Sequence, residues 1–367
     1  MNRIIRNLAR ERGILAVIAT LAIFTLNPAG LAYPSNDTAG LIAFLWLFGV
    51  MIWGASAVVR HAEALAEKLG EPFGTLILTV SVVLIEVALI ASVMLSGDGG
   101  PTLARDTMFA VLMIVLNGLV GLSLLLGALR FGEQNYNFAG ATAFLTVLVP
   151  LSVFGLVLPD YTVSSATPTF TVFQAIFFSI VTLALYLVFL SIQTVRHRGF
   201  FTEPEEPPLS SSDPHATYPI WAHGLLLLAT LVPIVLLSKK MGSFVDHGIA
   251  RLGLPAALGG VMIAVIVLAA EGMSAVRAAL RNRLQRAVNL CLGAALSTIG
   301  LTVPAVLVIG MYTGQPVVLG LGAQMQVLLA LSLIVSVQTF GAHRTNVLHG
   351  AVHLVVFLAY IALIFAP

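Results

Sequence analysis

Two acidic residues interrupt apolar sequence where a charge is costly to hold. Glu86 stands within Val80-Ser-Val-Val-Leu-Ile-Glu-Val-Ala-Leu-Ile90, and Glu271 ends Val261-Met-Ile-Ala-Val-Ile-Val-Leu-Ala-Ala-Glu271. The rest of the 16 Asp and Glu residues fall at the ends of apolar runs or between them. An ionised carboxylate in hydrocarbon must face a bundle interior, a water-filled path or a cation. Desolvation raises a carboxylate pKa from about 4.3, and an empty ionised neighbour raises it further, whereas a bound cation favours the charged form. Protons and a cation therefore compete for such a pair. The bland alternative, a protonated glutamate bonded across a helix interface, is weakened by two such residues at matching positions with no Lys or Arg inside the apolar runs. For Glu271 an interfacial ion pair with the nearby Arg277 is the competing explanation.

Two glutamates supply hard oxygen ligands suited to Ca²⁺, which takes about six to eight oxygens at about 2.3–2.6 Å. Asn117, Ser81, Ser297 and Thr298 are the candidate auxiliary ligands along the same path, joined by backbone carbonyls where Gly or Pro loosens a helix. Hydroxyls inside helices commonly bond back to their own backbone, which makes the serines and threonine the weaker candidates. His349 and His353 lie at i and i+4 on one helix face and titrate near pH 6.5 when unperturbed, so they are candidates for pH sensing or proton relay, against an ordinary interfacial role. Cys291 is the single cysteine, which excludes a disulfide framework and a clustered thiolate site. No resident cofactor is expected; Ca²⁺ is expected as a transported substrate.

Composition dictates the elements that must carry these residues. Of 367 residues, 59% are hydrophobic and 9% are charged, where a soluble domain carries roughly 25% charged residues. The mean hydropathy of +1.01 is spread along the chain. A net charge of +2 without a basic stripe gives no footprint for nucleic acid. These values exclude an ordinary soluble enzyme and predict a polytopic membrane protein whose partners are lipid and small ions.

Residues 287 to 343 contain no Asp, Glu, Lys or Arg. As one helix they would reach roughly 85 Å, nearly three times a hydrocarbon core of about 30 Å, so they must cross, turn near Gly314 and Pro316, and cross again. The same reasoning predicts spans at 13–28, 39–59, 74–95, 105–129, 139–159, 170–192, 219–238, 256–275, 287–309, 318–339 and 347–366. The runs do not alternate apolar and polar residues as barrel strands would, so helices are expected. With the N-terminus cytoplasmic, only Arg105, Lys239, Lys240 and Arg251 of the 18 Lys and Arg residues fall outside, and the C-terminus lies outside too. The first run is read as a retained helix; a secretory signal cut near Ala29 or Ala32 would leave ten spans.

The expected organisation is an N-terminal segment and first helix over 1–37, a first five-helix repeat over 38–195, an acidic Pro-rich cytoplasmic linker over 196–219, and a second five-helix repeat over 220–367. The linker holds Glu203, Glu205, Glu206 and Asp213 and reads as a solvated connection. An odd number of spans per half inverts one half relative to the other. Local echoes support the division: Leu69-Gly-Glu-Pro72 and Leu252-Gly-Leu-Pro255 each come shortly before the run holding a glutamate, and the next run holds Asn117 with Gly121 or Asn289 with Gly293.

Gly70-Glu-Pro-Phe-Gly-Thr-Leu-Ile-Leu-Thr-Val-Ser-Val-Val-Leu-Ile-Glu86, Glu271, Gly293-Ala-Ala-Leu-Ser-Thr-Ile-Gly-Leu-Thr-Val-Pro304 and Arg344-Thr-Asn-Val-Leu-His-Gly350 resemble the bacterial ChaA-type calcium/proton antiporters of the calcium/cation antiporter superfamily. The resemblance covers essentially the whole chain. It implies an extra first helix before two inverted five-helix repeats, with Glu86 and Glu271 as the cation- and proton-binding acids and Asn117 and Ser297 lining the path. Vacuolar-type exchangers read Gly-Asn-x-x-Glu around these acids, whereas this chain reads Val82-Val-Leu-Ile-Glu86 and Val267-Leu-Ala-Ala-Glu271, so both asparagines are missing. Serine stands at 297 where glutamine is frequent, and His349 stands where an acid is common. Fewer side-chain oxygens weaken the case for tight Ca²⁺ selectivity, and the resemblance also allows Na⁺/H⁺ or K⁺/H⁺ exchange.

The expectation is thus an inner-membrane antiporter that exchanges cytosolic Ca²⁺, and by the same site Na⁺ or K⁺, for external protons. A cation channel is the first rival. A membrane-embedded enzyme is the second, and the sequence has neither His-Glu-x-x-His nor an intramembrane cluster of nucleophile and base.

Overall fold

A computed structural model of the protein describes residues 11–26, 37–70, 73–96, 100–165, 168–202, 218–342 and 344–366. The basic residues Arg3, Arg6 and Arg10, the alternative cleavage region at Ala29 and Ala32, Pro72, and the linker acids Glu203, Glu205, Glu206 and Asp213 lie outside these residues. The long helices are α1 (Arg12–Leu26), α2 (Asp37–Leu69), α3 (Phe73–Ser96), α4 (Leu103–Phe131), α5 (Phe138–Tyr161), α6 (Val172–Arg196), α7 (Ile220–Leu252), α8 (Ala257–Ala279), α9 (Leu284–Thr313), α10 (Ala323–Phe340) and α11 (Val347–Phe365). Each predicted span falls on one of them. Among the described residues 9 helices are long and apolar enough to cross a membrane, and the shorter apolar helices are α1 and the stretch Thr79–Ser92 of α3. The chain is therefore a polytopic all-α membrane protein in which an N-terminal helix precedes two five-helix halves. Among the described residues the strands are the short β1 (Gln134–Asn135) and β2 (Arg344–Thr345), antiparallel with Gln134 opposite Thr345.

Helix ends differ from the predicted spans in an instructive way. Helices α2 and α7 each run for 33 residues, about 50 Å at about 1.5 Å per residue, well past the apolar runs 39–59 and 219–238. Arg60, Lys68, Lys239, Lys240 and Arg251 thus stand on helices rather than in connections. Hydropathy marks where lipid ends, while Ala, Glu, Leu and Lys beyond that point still favour helix. What stops both helices is glycine: Gly70 and Gly253 take φ of +65° and +63°, the left-handed conformation that a Cβ penalises. The Leu-Gly-x-Pro echo is therefore a helix stop repeated at the same point of each half.

The chain forms two compact units, Met1–Gly100 with Ser211–Ala270, and Pro101–Ser210 with Glu271–Pro367. Each unit draws on both sequence halves. In the first, α2 packs against α1, α3 and α7, and α7 packs against α1 and α3. Gly54 of α2 makes this possible, because a Cβ there would lie 2.5 Å from Val17 of α1 and 3.0 Å from Ile234 of α7. Trp46 donates to Thr20 Oγ1 at 3.2 Å, and Phe24 meets Phe244 edge-on.

In the second unit, α4 packs against α9, α10 and α11, and α9 against α5 and α6. Close approach of α11 to α4 depends on Gly350, where a Cβ would lie 2.4 Å from the backbone nitrogen of Leu125. Helices α4, α5, α6 and α9 each contain a π-helical segment, at Ile114–Leu119, Val153–Val157, Ile192–Arg196 and Thr298–Thr302. Beside the strand pair, Tyr136 donates its hydroxyl to the carbonyls of Ala342 and Thr339. Burial pushes its phenol up to about 12.

Candidate functional site

Glu86 stands near the middle of α3 and is 1% exposed, on a face shared with the buried Val82, Val83, Leu89 and Ile90, while Val80 and Leu84 face outward. Its helix rests on α2 and α7 within the first unit. Ser81, five residues earlier, donates to the carbonyl of Ile77 at 2.6 Å, so its hydroxyl hydrogen is committed to its own helix.

Glu271 occupies the corresponding part of α8 and is half-buried, less enclosed than Glu86. The division between the units falls between Ala270 and Glu271. Gly272 lies against α4 in the second unit: a Cβ on it would be 2.8 Å from Leu119 Cδ2, within the π-helical segment that also holds Asn117. A π-helical segment adds a residue to the turn and releases backbone carbonyls from regular i→i−4 bonding, and such segments are frequent at functional sites. Thr298 opens the equivalent segment of α9 and Ser297 directly precedes it; both are buried. Ser297 donates to the carbonyl of Ala294 at 3.1 Å. The third helix of each half therefore carries the same irregularity, with Asn117 inside one segment, Thr298 opening the other and Ser297 just before it.

Asn117 is fully buried and held on both sides of its amide. Its Nδ2 donates to Ser332 Oγ at 2.8 Å, and Ser332 in turn donates to the carbonyl of Leu328 at 2.7 Å. That leaves Oδ1 facing Nδ1 of His353 at 3.3 Å, so this ring nitrogen carries the hydrogen. His353 Nε2 lies 3.1 Å from Thr339 Oγ1. A buried polar chain thus runs from Thr339 through His353 and Asn117 to Ser332, with Met113 sulfur 3.4 Å from the Ser332 hydroxyl. Residues Ser332 and Thr339 had no sequence signal beyond a hydroxyl in an apolar run. His349, by contrast, does not share in this chain: its Nδ1 accepts from the backbone nitrogen of Asn346 and closes a capping box at the start of α11. The suggested echo of Asn117 in Asn289 is not one of position, since Asn289 sits near the start of α9 and donates to the carbonyl of Phe201 at 2.6 Å.

Among the described residues no three His, Cys, Asp or Glu side chains gather so as to hold a metal ion. The arrangement is two acids on separate helices, and a buried polar chain that links α4, α10 and α11.

Two stretches of the chain, residues 39–195 and 222–366, match the family described as sodium/calcium exchanger protein, and the chain belongs to that family. It is 43% identical over 331 residues to y4hA of Sinorhizobium fredii, covering 89% of each chain. To the sodium-potassium/proton antiporter ChaA of Escherichia coli K12 it is 38% identical over 362 residues, 97% of each. Its fold is similar to the crystal structure of the Ca²⁺/H⁺ antiporter YfkE with a TM-score of 0.73 at 19% identity, covering 97% of this chain and 99% of that one.

Proposed function

We propose that the protein is a secondary active antiporter, a transporter rather than an enzyme, that exchanges cytosolic cations for external protons across the cell's inner membrane. The observation that carries this reading is the buried carboxylate of Glu86 on α3 matched by Glu271 at the corresponding part of α8, in a chain of the sodium/calcium exchanger family. The two matched stretches correspond to the two repeats proposed over 38–195 and 220–367, joined by the linker 196–219. Five helices per half turn the second repeat over relative to the first, which gives the two acids opposite approaches to the membrane. The Lys and Arg distribution supports a cytoplasmic N-terminus and an external C-terminus.

In the proposed cycle, external protons neutralise Glu86 and Glu271, the loaded protein turns inward, and cytosolic cation displaces the protons. The site changes its facing only with both carboxylates neutralised, which is what couples the two fluxes. Two carboxylates balance one Ca²⁺, two monovalent cations or two protons, so two protons per Ca²⁺ is the simplest stoichiometry. Ca²⁺ is the first substrate in this proposal, with Na⁺ and K⁺ as further substrates; the relative named as a sodium-potassium/proton antiporter supports the latter. Asn117 contributes only through the oxygen lone pair that His353 leaves open, and Thr298 and the carbonyls released by the π-helical segments complete the ligand set.

The test is flux in sealed proteoliposomes with a lumenal pH dye and clamped potential, with Ca²⁺, Na⁺ or K⁺ offered from about pH 6 to about pH 9. Cation-driven proton movement in the wild type, lost in E86Q and in E271Q while both variants still insert, is the expected result. Cation flux without proton movement would make the protein a channel, and full exchange in both variants would remove the glutamates from the mechanism.

A further inference from the structure

The first unit holds a cluster of buried titratable groups that cation exchange leaves unused. Glu11, just before α1, is 4% exposed; His61, toward the end of α2, is 1% exposed; His223, in the first turn of α7, is 0% exposed. His61 Nε2 lies 3.2 Å from Glu11 Oε2, and His61 Nδ1 lies 3.1 Å from Nδ1 of His223. A carboxylate only accepts, so His61 Nε2 carries a hydrogen. Two ring nitrogens in contact need one donor and one acceptor, so the Nδ1 pair shares a single hydrogen. Either both rings are neutral and His223 donates, or His61 is an imidazolium that donates to a His223 carrying its hydrogen on Nε2. A second positive charge sets N–H against N–H with no acceptor between them.

On α2, Arg60 Nη2 is 3.9 Å from Glu11 Oε2, and Glu63, Glu67 and Lys68 share that end of the helix. Lys68 donates to the carbonyl of Tyr218, whose ring meets His223 edge-on at 5.7 Å. Arg12 follows Glu11 and is exposed. The titratable group of α3 is Glu86. The next charged residue of α7 after His223 is Lys239, about 24 Å along the helix.

We propose that Glu11, His61 and His223 form a proton-sensitive clasp that fastens α1 and α7 to α2 while the two imidazoles share one hydrogen at their Nδ1 contact, and that releases when both are cationic. Release takes one proton more than the shared-hydrogen pair holds, so lowering the pH drives it. Because α3 packs on both α2 and α7, the clasp holds the helices that support Glu86. Its consequence for transport, but not its existence, rests on the antiporter reading: acid on the clasp side slows exchange.

Tryptophan fluorescence in EDTA tests the clasp directly. Trp46 bonds Thr20, and a Cβ on Gly13 would lie 3.2 Å from Trp53 Cδ1, so both rings report the contact between α1 and α2. In a W221F background, lowering the pH from about 8 to about 5 shifts the emission, and H61N and H223N each hold it flat. A flat parent, or variants that titrate like the parent, overturns the clasp. Matched elution and melting at neutral pH show that the variants are folded, and either single variant suffices. Flux at acid pH on the clasp side falls in the parent and is maintained in H223N; identical profiles overturn the regulatory role. The fluorescence needs no transport, so its outcome stands apart from that of the antiporter reading.

Discussion

A polar group inside a membrane helix has few partners, and each one it finds fixes its orientation. Asn117 illustrates the consequence: Ser332 takes its amide hydrogen and His353 faces its oxygen. Removing the amide in N117A takes the acceptor from His353 Nδ1 and one donor from Ser332 Oγ, and a buried group left without its bond costs about 1–3 kcal/mol. The expected result is a lowered melting temperature in detergent, with a smaller fall in S332A, whose neighbours keep other bonds. The double variant should lose less than the two single losses combined, because one bond is counted in both. At this scale the sequence showed which residues were out of place in apolar surroundings, namely Glu86, Glu271, Asn117 and His353. It did not show their partners, because Ser332 and Thr339 are ordinary hydroxyls until α10 is laid beside α4 and α11. Glu11, His61 and His223 escaped notice for a related reason: at the ends of apolar runs, titratable residues are expected to face water.

Helix boundaries and irregularities set where those residues stand. The positions of the helices were legible from apolar run length, and the glycine stops were visible as Leu69-Gly70 and Leu252-Gly253, although only their φ values explain the pattern. The π-helical segments were not legible, since nothing in Ile114-Val-Leu-Asn-Gly-Leu119 distinguishes an i→i+5 turn from an α-helical one. Packing around that segment offers a test. Gly272 leaves no room for a side chain beside Leu119. Replacing it in G272V should force α8 from α4 and reduce flux by about tenfold or more, since inserting methylenes into a packed contact typically costs 1–3 kcal/mol. Adding L119A to the same chain vacates the space and should restore most of the flux; failure of that rescue would show that Gly272 serves some other purpose than close packing.

At the scale of the whole molecule, sequence order and compactness divide the chain differently. Each unit takes helices from before and after residue 211, so neither half contains a complete unit. Expressing residues 1–210 and 211–367 as separate chains should therefore give two inactive, protease-sensitive fragments when made alone, and exchange activity when both are made together. Activity from one fragment by itself would show that the units are not interdependent in this way. The interleaving also imposes a schedule on biogenesis. The helix bearing Glu86 emerges from the ribosome long before α7, one of the helices it rests against, has been synthesised. A chain paused before residue 220 thus holds an acid without one wall of its final enclosure.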